Sequence, residues 1–186
     1  MNKIFYLGLI SLALGYTAKA NATENFDYVP YLGMDYGYVN AKASHIRPNY
    51  HLANINVGTK YNAYFGTEAF FEQSSSDAKK VNSADKSKTS YRAYGIDAMG
   101  YLPLGCYHNF DLVGSFGLAE YVFTSKFNKQ KHHNENAWGY RIGGGLIYNL
   151  NENVSLKAMV RYVGLNDITY VDHLTEYTLG LRYHFY

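Results

Sequence analysis

The sequence predicts an all-β chain, an eight-stranded antiparallel up-and-down transmembrane β-barrel. Three observations carry this. From Thr175 to Tyr186 the chain alternates without a fault, with Tyr177, Leu179, Leu181, Tyr183 and Phe185 on one face and Glu176, Thr178, Gly180, Arg182 and His184 on the other. Seven earlier segments alternate in the same way, and the links between segments are short and long in turn. Strict alternation is the signature of a strand with two unlike faces. An apolar face with rings near its ends and aliphatics between suits a bilayer crossing, aromatic at both interfaces and hydrocarbon in the middle.

Residues 1–22 read as a secretory signal, leaving 23–186 as the barrel domain. Lys3 supplies the positive start, and Ile4 to Leu14 is an apolar run too short to cross a bilayer as a helix. Small-x-small sites follow at Ala18-Lys19-Ala20 and Ala20-Asn21-Ala22, so cleavage is expected after Ala20 or Ala22. No cysteine adjoins these sites, which argues against a lipoprotein anchor. Without Lys3 and Lys19 the 17 basic residues fall level with the 15 acidic ones, so the mature chain is formally neutral. A nucleic-acid partner, which needs a net basic surface, is not expected. Tyrosine is the commonest residue at 21, with 17 glycines and 3 prolines. A membrane barrel tolerates a polar overall composition because only alternate residues meet lipid.

The first segment, about 29–40, sets Leu32, Met34, Tyr36 and Tyr38 outward against Tyr31, Gly33, Asp35 and Gly37. The second, about 51–61, sets Ala53, Ile55, Val57 and Tyr61 against Asn54, Asn56, Gly58 and Lys60. A tight Asn62-Ala63 turn leads to the third, where Phe65, Ala69 and Phe71 oppose Gly66, Glu68 and Glu72. The fourth, about 91–102, sets Tyr94, Ile96, Ala98 and Leu102 against Gly95, Asp97 and Tyr101. The fifth, about 110–123, is apolar on both faces, and its register rests on the charge of Glu120. Turning Glu120 inward with Gly114 and Phe116 puts Val113, Ala119, Tyr121 and Phe123 outside. The sixth sets Trp138, Tyr140, Ile142, Leu146 and Tyr148 against Arg141, Gly143 and Gly145. The seventh sets Val154, Leu156, Ala158, Val160 and Tyr162 against Lys157, Met159 and Arg161, and the terminal segment is the eighth.

Residues 62–63, about 103–109 and 149–153 are short links; about 41–50, 74–89, 124–135 and 164–174 are longer and polar. Tight turns at one end and long loops at the other are the pattern of an outer-membrane barrel, with both chain ends on the periplasmic side. The register is enforced energetically, since a Lys or Arg facing lipid at mid-bilayer costs about 2–4 kcal/mol and a one-residue slip turns every inward charge outward. Arg92 is the one outward cation, at the loop end of its strand.

Three stretches resemble the small, single-domain outer-membrane β-barrel proteins, which include opacity-type surface proteins and the transmembrane domain of outer-membrane protein A. These are Asn56-Val57-Gly58-Thr59-Lys60-Tyr61, Gly143-Gly144-Gly145-Leu146-Ile147-Tyr148, and Gly180-Leu181-Arg182-Tyr183-His184-Phe185. The resemblance covers about 25–186 and implies location in a Gram-negative outer membrane, lipid and lipopolysaccharide as surroundings, and reading of the C-terminal strand by barrel-assembly machinery. Members of that family usually end on the lipid-facing Phe, whereas here Tyr186 follows Phe185. A one-residue longer strand is the expectation, because the other register aims Arg182 and His184 at lipid.

Eight strands enclose a lumen just wide enough to be filled by side chains. The inward set holds Asp35, Glu68, Glu72, Asp97, Glu120 and Glu176 against Lys60, Arg141, Lys157, Arg161 and Arg182. Near-balance in a narrow space predicts interlocked ion pairs, since an unpaired buried charge costs several kcal/mol. A stabilising polar plug is the expected role of these residues, with a narrow conduction path as the alternative. No catalytic, cofactor or metal site is expected. A lipid-modifying enzyme needs a Ser–His unit on the outer surface. The one adjacent pair, Ser44-His45, lies in a loop, where neighbours on extended chain point apart. A soluble lipocalin-like carrier is a further alternative and requires the reverse pattern, apolar inside and charged outside. Cys106 is the single cysteine, an incidental free thiol on this reading. Lys79, Lys80, Lys86 and Lys88 make the second long loop basic, and Lys126, Lys129, Lys131, His132 and His133 the third. Solvated loops beside anionic lipopolysaccharide are the plain reading, and contact with an acidic host or environmental ligand the sharper one. The expected function is that of an outer-membrane surface protein with a structural, limited-permeability or loop-mediated role.

Overall fold

The computed structural model describes the backbone of residues 28–42, 49–75, 77–82, 85–104, 109–127, 132–166 and 173–186, and the side chains of 28–40, 49–75, 90–104, 109–124, 136–166 and 173–186. Its strands are β1 (Val29–Lys42), β2 (Asn49–Lys60), β3 (Phe65–Ser74), β4 (Asp77–Asn82), β5 (Asp85–Leu104), β6 (Phe110–Phe127), β7 (His132–Asn149), β8 (Val154–Leu165) and β9 (His173–His184). Every pairing is antiparallel, in the order β3-β2-β1-β9-β8-β7-β6-β5, and β3 pairs with β5 to close the ring. Eight strands therefore form a closed barrel, which leaves no sheet edge to meet lipid. The terminal strand is central to closure: β9 pairs with β1 from Tyr31↔His184 to Lys42↔His173.

Sequence and structure differ at the long-loop end. The stretches 74–89 and 124–135, read as loops, carry ladder pairing well beyond the lipid-facing segments. β4 pairs with β5 from Asp77↔Thr89 to Asn82↔Asp85, and β5, β6 and β7 continue beside it as a ribbon. Polar composition alone does not decide whether a backbone is paired. At the short-turn end, Asn62 Oδ1 accepts from the amides of Tyr64 and Phe65, both at 2.8 Å, so the turn occupies 61–64 rather than two residues. Asn151 Oδ1 does the same for Val154 at 2.8 Å and Asn153 at 3.0 Å. Both are Asx turns, in which the side chain stands in for a backbone acceptor.

Seven of the eight ring strands take the faces expected. Tyr177, Ile142 and Leu156 point outward, and Met34, Leu179 and Ile55 lie among the exposed apolar side chains. Arg141, Lys157, Arg161, Arg182, Glu68 and Glu176 are buried inside. An apolar exterior around a charged interior is the inverse of a lipocalin-type carrier.

The exception is β6, whose register is the reverse of the expected one. Val113, Ala119 and Tyr121 are buried inside, while Phe116 (56% exposed) and Leu118 (58%) face outward. Asp111 and Glu120 lie an odd number of residues apart, so they cannot share a face. Asp111 turns inward to Lys60 at 3.2 Å. Glu120 turns outward near the loop end, where the Tyr94 hydroxyl (2.6 Å) and Asn136 Nδ2 (3.2 Å) donate to it. Depth decides: an outward carboxylate is tolerated near the interface.

Candidate functional site

Among the described side chains, charge gathers in the lumen. Its inward positions come from the alternation of each strand, and the glycines opposite the long side chains make room for them. A Cβ on Gly117 would overlap the Asp97 carboxylate, and one on Gly143 would meet the Arg161 stem.

Glu68 on β3, fully buried, lies at the centre. Arg182 Nη2 donates to its Oε2 at 2.6 Å, and the Tyr31 hydroxyl donates to the same oxygen at 3.1 Å. Lys157 Nζ (3.4 Å) and Arg161 Nη2 (3.7 Å) approach Oε1. Lys157 also reaches Asp35 Oδ2 at 2.8 Å, where Asn56 (2.9 Å) and Asn54 (3.1 Å) donate as well. The Arg182 guanidinium lies over the Tyr31 ring, 4.4 Å from its centroid.

Towards the loop end the charges are looser and more acidic. Arg141 contacts Asp97 at 3.4 Å and both Glu72 and Glu176 at 3.8 Å, with its guanidinium 3.7 Å above the Phe70 ring. Arg161 links the two halves through Asp97 at 3.8 Å, and the Tyr91 hydroxyl donates to Glu72 at 2.7 Å. Cation–π contact and paired carboxylates together offset the cost of burying a guanidinium.

Nine of the eleven anticipated residues thus meet in one network: Asp35, Glu68, Glu72, Asp97, Arg141, Lys157, Arg161, Glu176 and Arg182. Lys60 sits apart at the short-turn end on Asp111, and Glu120 is a correction, since it lies outside the barrel. Sequence reasoning missed Asp111 because it followed Glu120 in β6. The tyrosines that complete the network, Tyr31, Tyr91 and Tyr101, carried no signal beyond their inward parity. Cys106, Ser44, His45, Lys129, Lys131 and residues 1–22 lie outside the described residues.

Above the charges an apolar collar closes the loop end. Val39, Tyr50, Leu52, Phe70, Tyr91, Ala93, Ala119, Tyr121, Val163 and Leu174 pack into one buried cluster. They come from β1, β2, β3, β5, β6, β8 and β9, and β7 adds the buried Ala137 beside them. A second apolar group, Met99, Tyr101, Val113, Ile147 and Met159, lines the wall nearer the short turns. Ion pairs between two apolar layers fill the described part of the interior with side chains. Among the described residues no cluster of His, Cys, Asp and Glu has the arrangement to hold a metal ion.

Residues 8–185 match the outer membrane protein β-barrel domain family. Three solved structures show the same fold. Neisserial surface protein A is 16% identical with a TM-score of 0.71, over 84% of this chain and 97% of its own. Ail, the attachment invasion locus protein of Yersinia pestis, solved with the heparin analogue sucrose octasulfate, is 16% identical with a TM-score of 0.63, over 85% and 99%. OprG from Pseudomonas aeruginosa is 14% identical with a TM-score of 0.57, over 88% and 97%. A sequence comparison with curated proteins finds no match. A closed antiparallel barrel, apolar outside and ionic within, and a family match spanning nearly its whole length place this chain in the outer membrane protein β-barrel family.

Proposed function

We propose that this is a sealed outer-membrane barrel whose work lies in its wall and its loop end, without permeation or catalysis through the lumen. The observation that supports the reading is the apolar collar over the ion pairs. Val39, Leu52, Val163 and Leu174 close the loop end of the same lumen whose centre is held by Glu68, Arg182 and Lys157. The buried charges serve as a stabilising plug, and their carboxylates have no substrate access. Residues 1–22 act as a cleaved export signal, and assembly machinery reads the alternating segment ending at Phe185. Planar-bilayer recording of the refolded mature chain tests the sealed lumen. The expected record has no discrete conductance steps, and reproducible steps abolished by boiling the protein overturn the reading.

A second reading concerns the loop end. The ribbon register sets Lys88 opposite Lys126, Lys126 opposite His132, and Lys80 opposite Lys86. Cationic positions in adjacent rows suit a sulfated or phosphorylated sugar polymer, and the structural neighbour Ail was solved with a heparin analogue. Salt-sensitive binding to sucrose octasulfate, lost when Lys88 and Lys126 are both changed to Gln, is the expected result. Binding indifferent to those changes removes this reading.

A further inference from the structure

The outward face of the barrel carries two Asp, Glu, Lys or Arg side chains among the described strand residues, Arg92 and Glu120. Glu120 is held by Tyr94 and Asn136. Arg92, also exposed, makes no ion pair and no side-chain hydrogen bond among the described residues. Its backbone partner on β3 is Gln73, and Gln73 pairs in turn with Ala53 on β2.

Ala53 is the small residue in a row of large ones. Between the Tyr36 ring on one side and Phe71 with Gln73 on the other, it floors a groove of about 560 Å³. The groove is graded along the barrel axis: Ile55, Phe71 and Ala53 lie towards mid-membrane, and His51, Gln73 and Ser75 rim the loop end. His51 is fixed there, its Nδ1 3.0 Å from the Tyr36 hydroxyl and the two rings stacked at 5.9 Å. An apolar trough rimmed by amide and imidazole, with Arg92 on the adjoining strand opposite Gln73, matches an amphiphile with its acyl chain inward and an anionic head at the loop end.

We propose that Arg92, Gln73 and His51, over the groove floored by Ala53, seat the phosphate and one acyl chain of a phosphorylated, acylated sugar lipid of the outer leaflet. The assignment rests on the orientation adopted above, with the long-loop end facing outward. It adds a specific lipid site to a wall otherwise solvated by hydrocarbon. Arg92 supplies the charge, since guanidinium matches phosphate bidentately. Ala53 supplies the space, which a larger side chain closes. Glu120, on the neighbouring strand and already bonded, takes no part.

The test uses the refolded mature chain in phosphatidylcholine nanodiscs, titrated with bisphosphorylated hexa-acyl lipid A and followed by native mass spectrometry. Saturable binding of one lipid per barrel is expected. Arg92→Gln and, separately, Ala53→Phe each weaken it by on the order of tenfold, as loss of a charge-assisted contact or of the acyl seat requires. Arg92→Lys retains most of the binding, and Glu120→Gln leaves it unchanged. Heat-modifiable gel mobility checks that each variant is folded. Phosphatidylglycerol binding as tightly as lipid A overturns the proposal in favour of general anionic attraction, and inorganic pyrophosphate competing at Arg92 in the Ala53→Phe variant overturns it in favour of a bare anion site. Equal lipid A binding by wild type and Arg92→Gln overturns it outright. Conductance measured on the same samples separates the two readings: a silent barrel indifferent to Arg92→Gln sinks this inference alone, and a conducting barrel that holds lipid A sinks only the sealed lumen.

Discussion

Replacing Glu68 by Gln removes the one acid that Arg182, Lys157 and Arg161 share. The change keeps the shape and the hydrogen bond to Tyr31, so its effect is almost purely that of charge. At an effective dielectric of about 20, the contacts at 2.6, 3.4 and 3.7 Å are each worth about 4–6 kcal/mol before desolvation. Most of that attraction offsets the cost of burying the ions, so the net value of the group is far smaller. Removing one partner leaves the desolvation of the others uncompensated, and breaking a buried pair costs about 3–5 kcal/mol. Three cations crowd one vacated carboxylate here, so the upper part of that range is expected. Asp35 and Asp97 retain part of the field at Lys157 and Arg161. The chain has a single tryptophan, Trp138, outward and 61% exposed, whose emission reports withdrawal from lipid. Urea unfolding in phosphatidylcholine vesicles followed at Trp138 measures the loss. Arg182→Gln alone is expected to cost a comparable amount, and the double variant clearly less than the two together. A loss below about 1 kcal/mol for Glu68→Gln would refute the reasoning, because it would mean that water already screens these charges as it does surface pairs.

Three further substitutions test the wall and the lumen. Leu118→Arg, on the outward face of β6, is expected to destabilise the barrel by about 2–4 kcal/mol in the same urea assay, whereas in the register expected from the sequence residue 118 shares the lumen side with Gly114, Phe116 and Glu120; a loss well under 1 kcal/mol would argue that Leu118 does not meet lipid at mid-depth. A Cβ on Gly180 would overlap the Asp35 carboxylate and the Met34 carbonyl oxygen, so Gly180→Ala is expected to cost about 1–3 kcal/mol. Gly114 faces open space, its nearest neighbour being the Gly143 carbonyl oxygen at 4.0 Å, and Gly114→Ala is expected to be neutral or stabilising by about 0.5–1 kcal/mol. Equal losses for the two glycines would show that the lumen has slack the packing denies.

The reading of β6 shows where sequence reasoning loses its grip. Every other ring strand has charges of one parity in its central part, so a single rule assigns both faces. In β6 the acids Asp111 and Glu120 disagree in parity, and the choice depends on which one stands near an interface. Depth is not a local property of the strand. It follows from the stagger of the whole sheet, which pairs Glu120 with Tyr94 on one side and Trp138 on the other. The ribbon of β4 to β7 was hidden for a related reason, because alternation is visible only where the two faces meet different media.

The amino-acid order alone determined the barrel, its eight ring strands, the outward and inward sets of seven of them, and the presence of balanced charge inside. Each of these follows from periodicity within a strand and from the contrast between lipid and lumen, which is written residue by residue. The tertiary structure decided which charges meet. Glu68 finds Arg182 across 114 positions of chain, because closure of β1 on β9 and β3 on β5 brings them to one level. The same closure stacks side chains from seven strands into the collar. Who faces whom across the axis depends on ring closure and stagger, and no single strand contains that information.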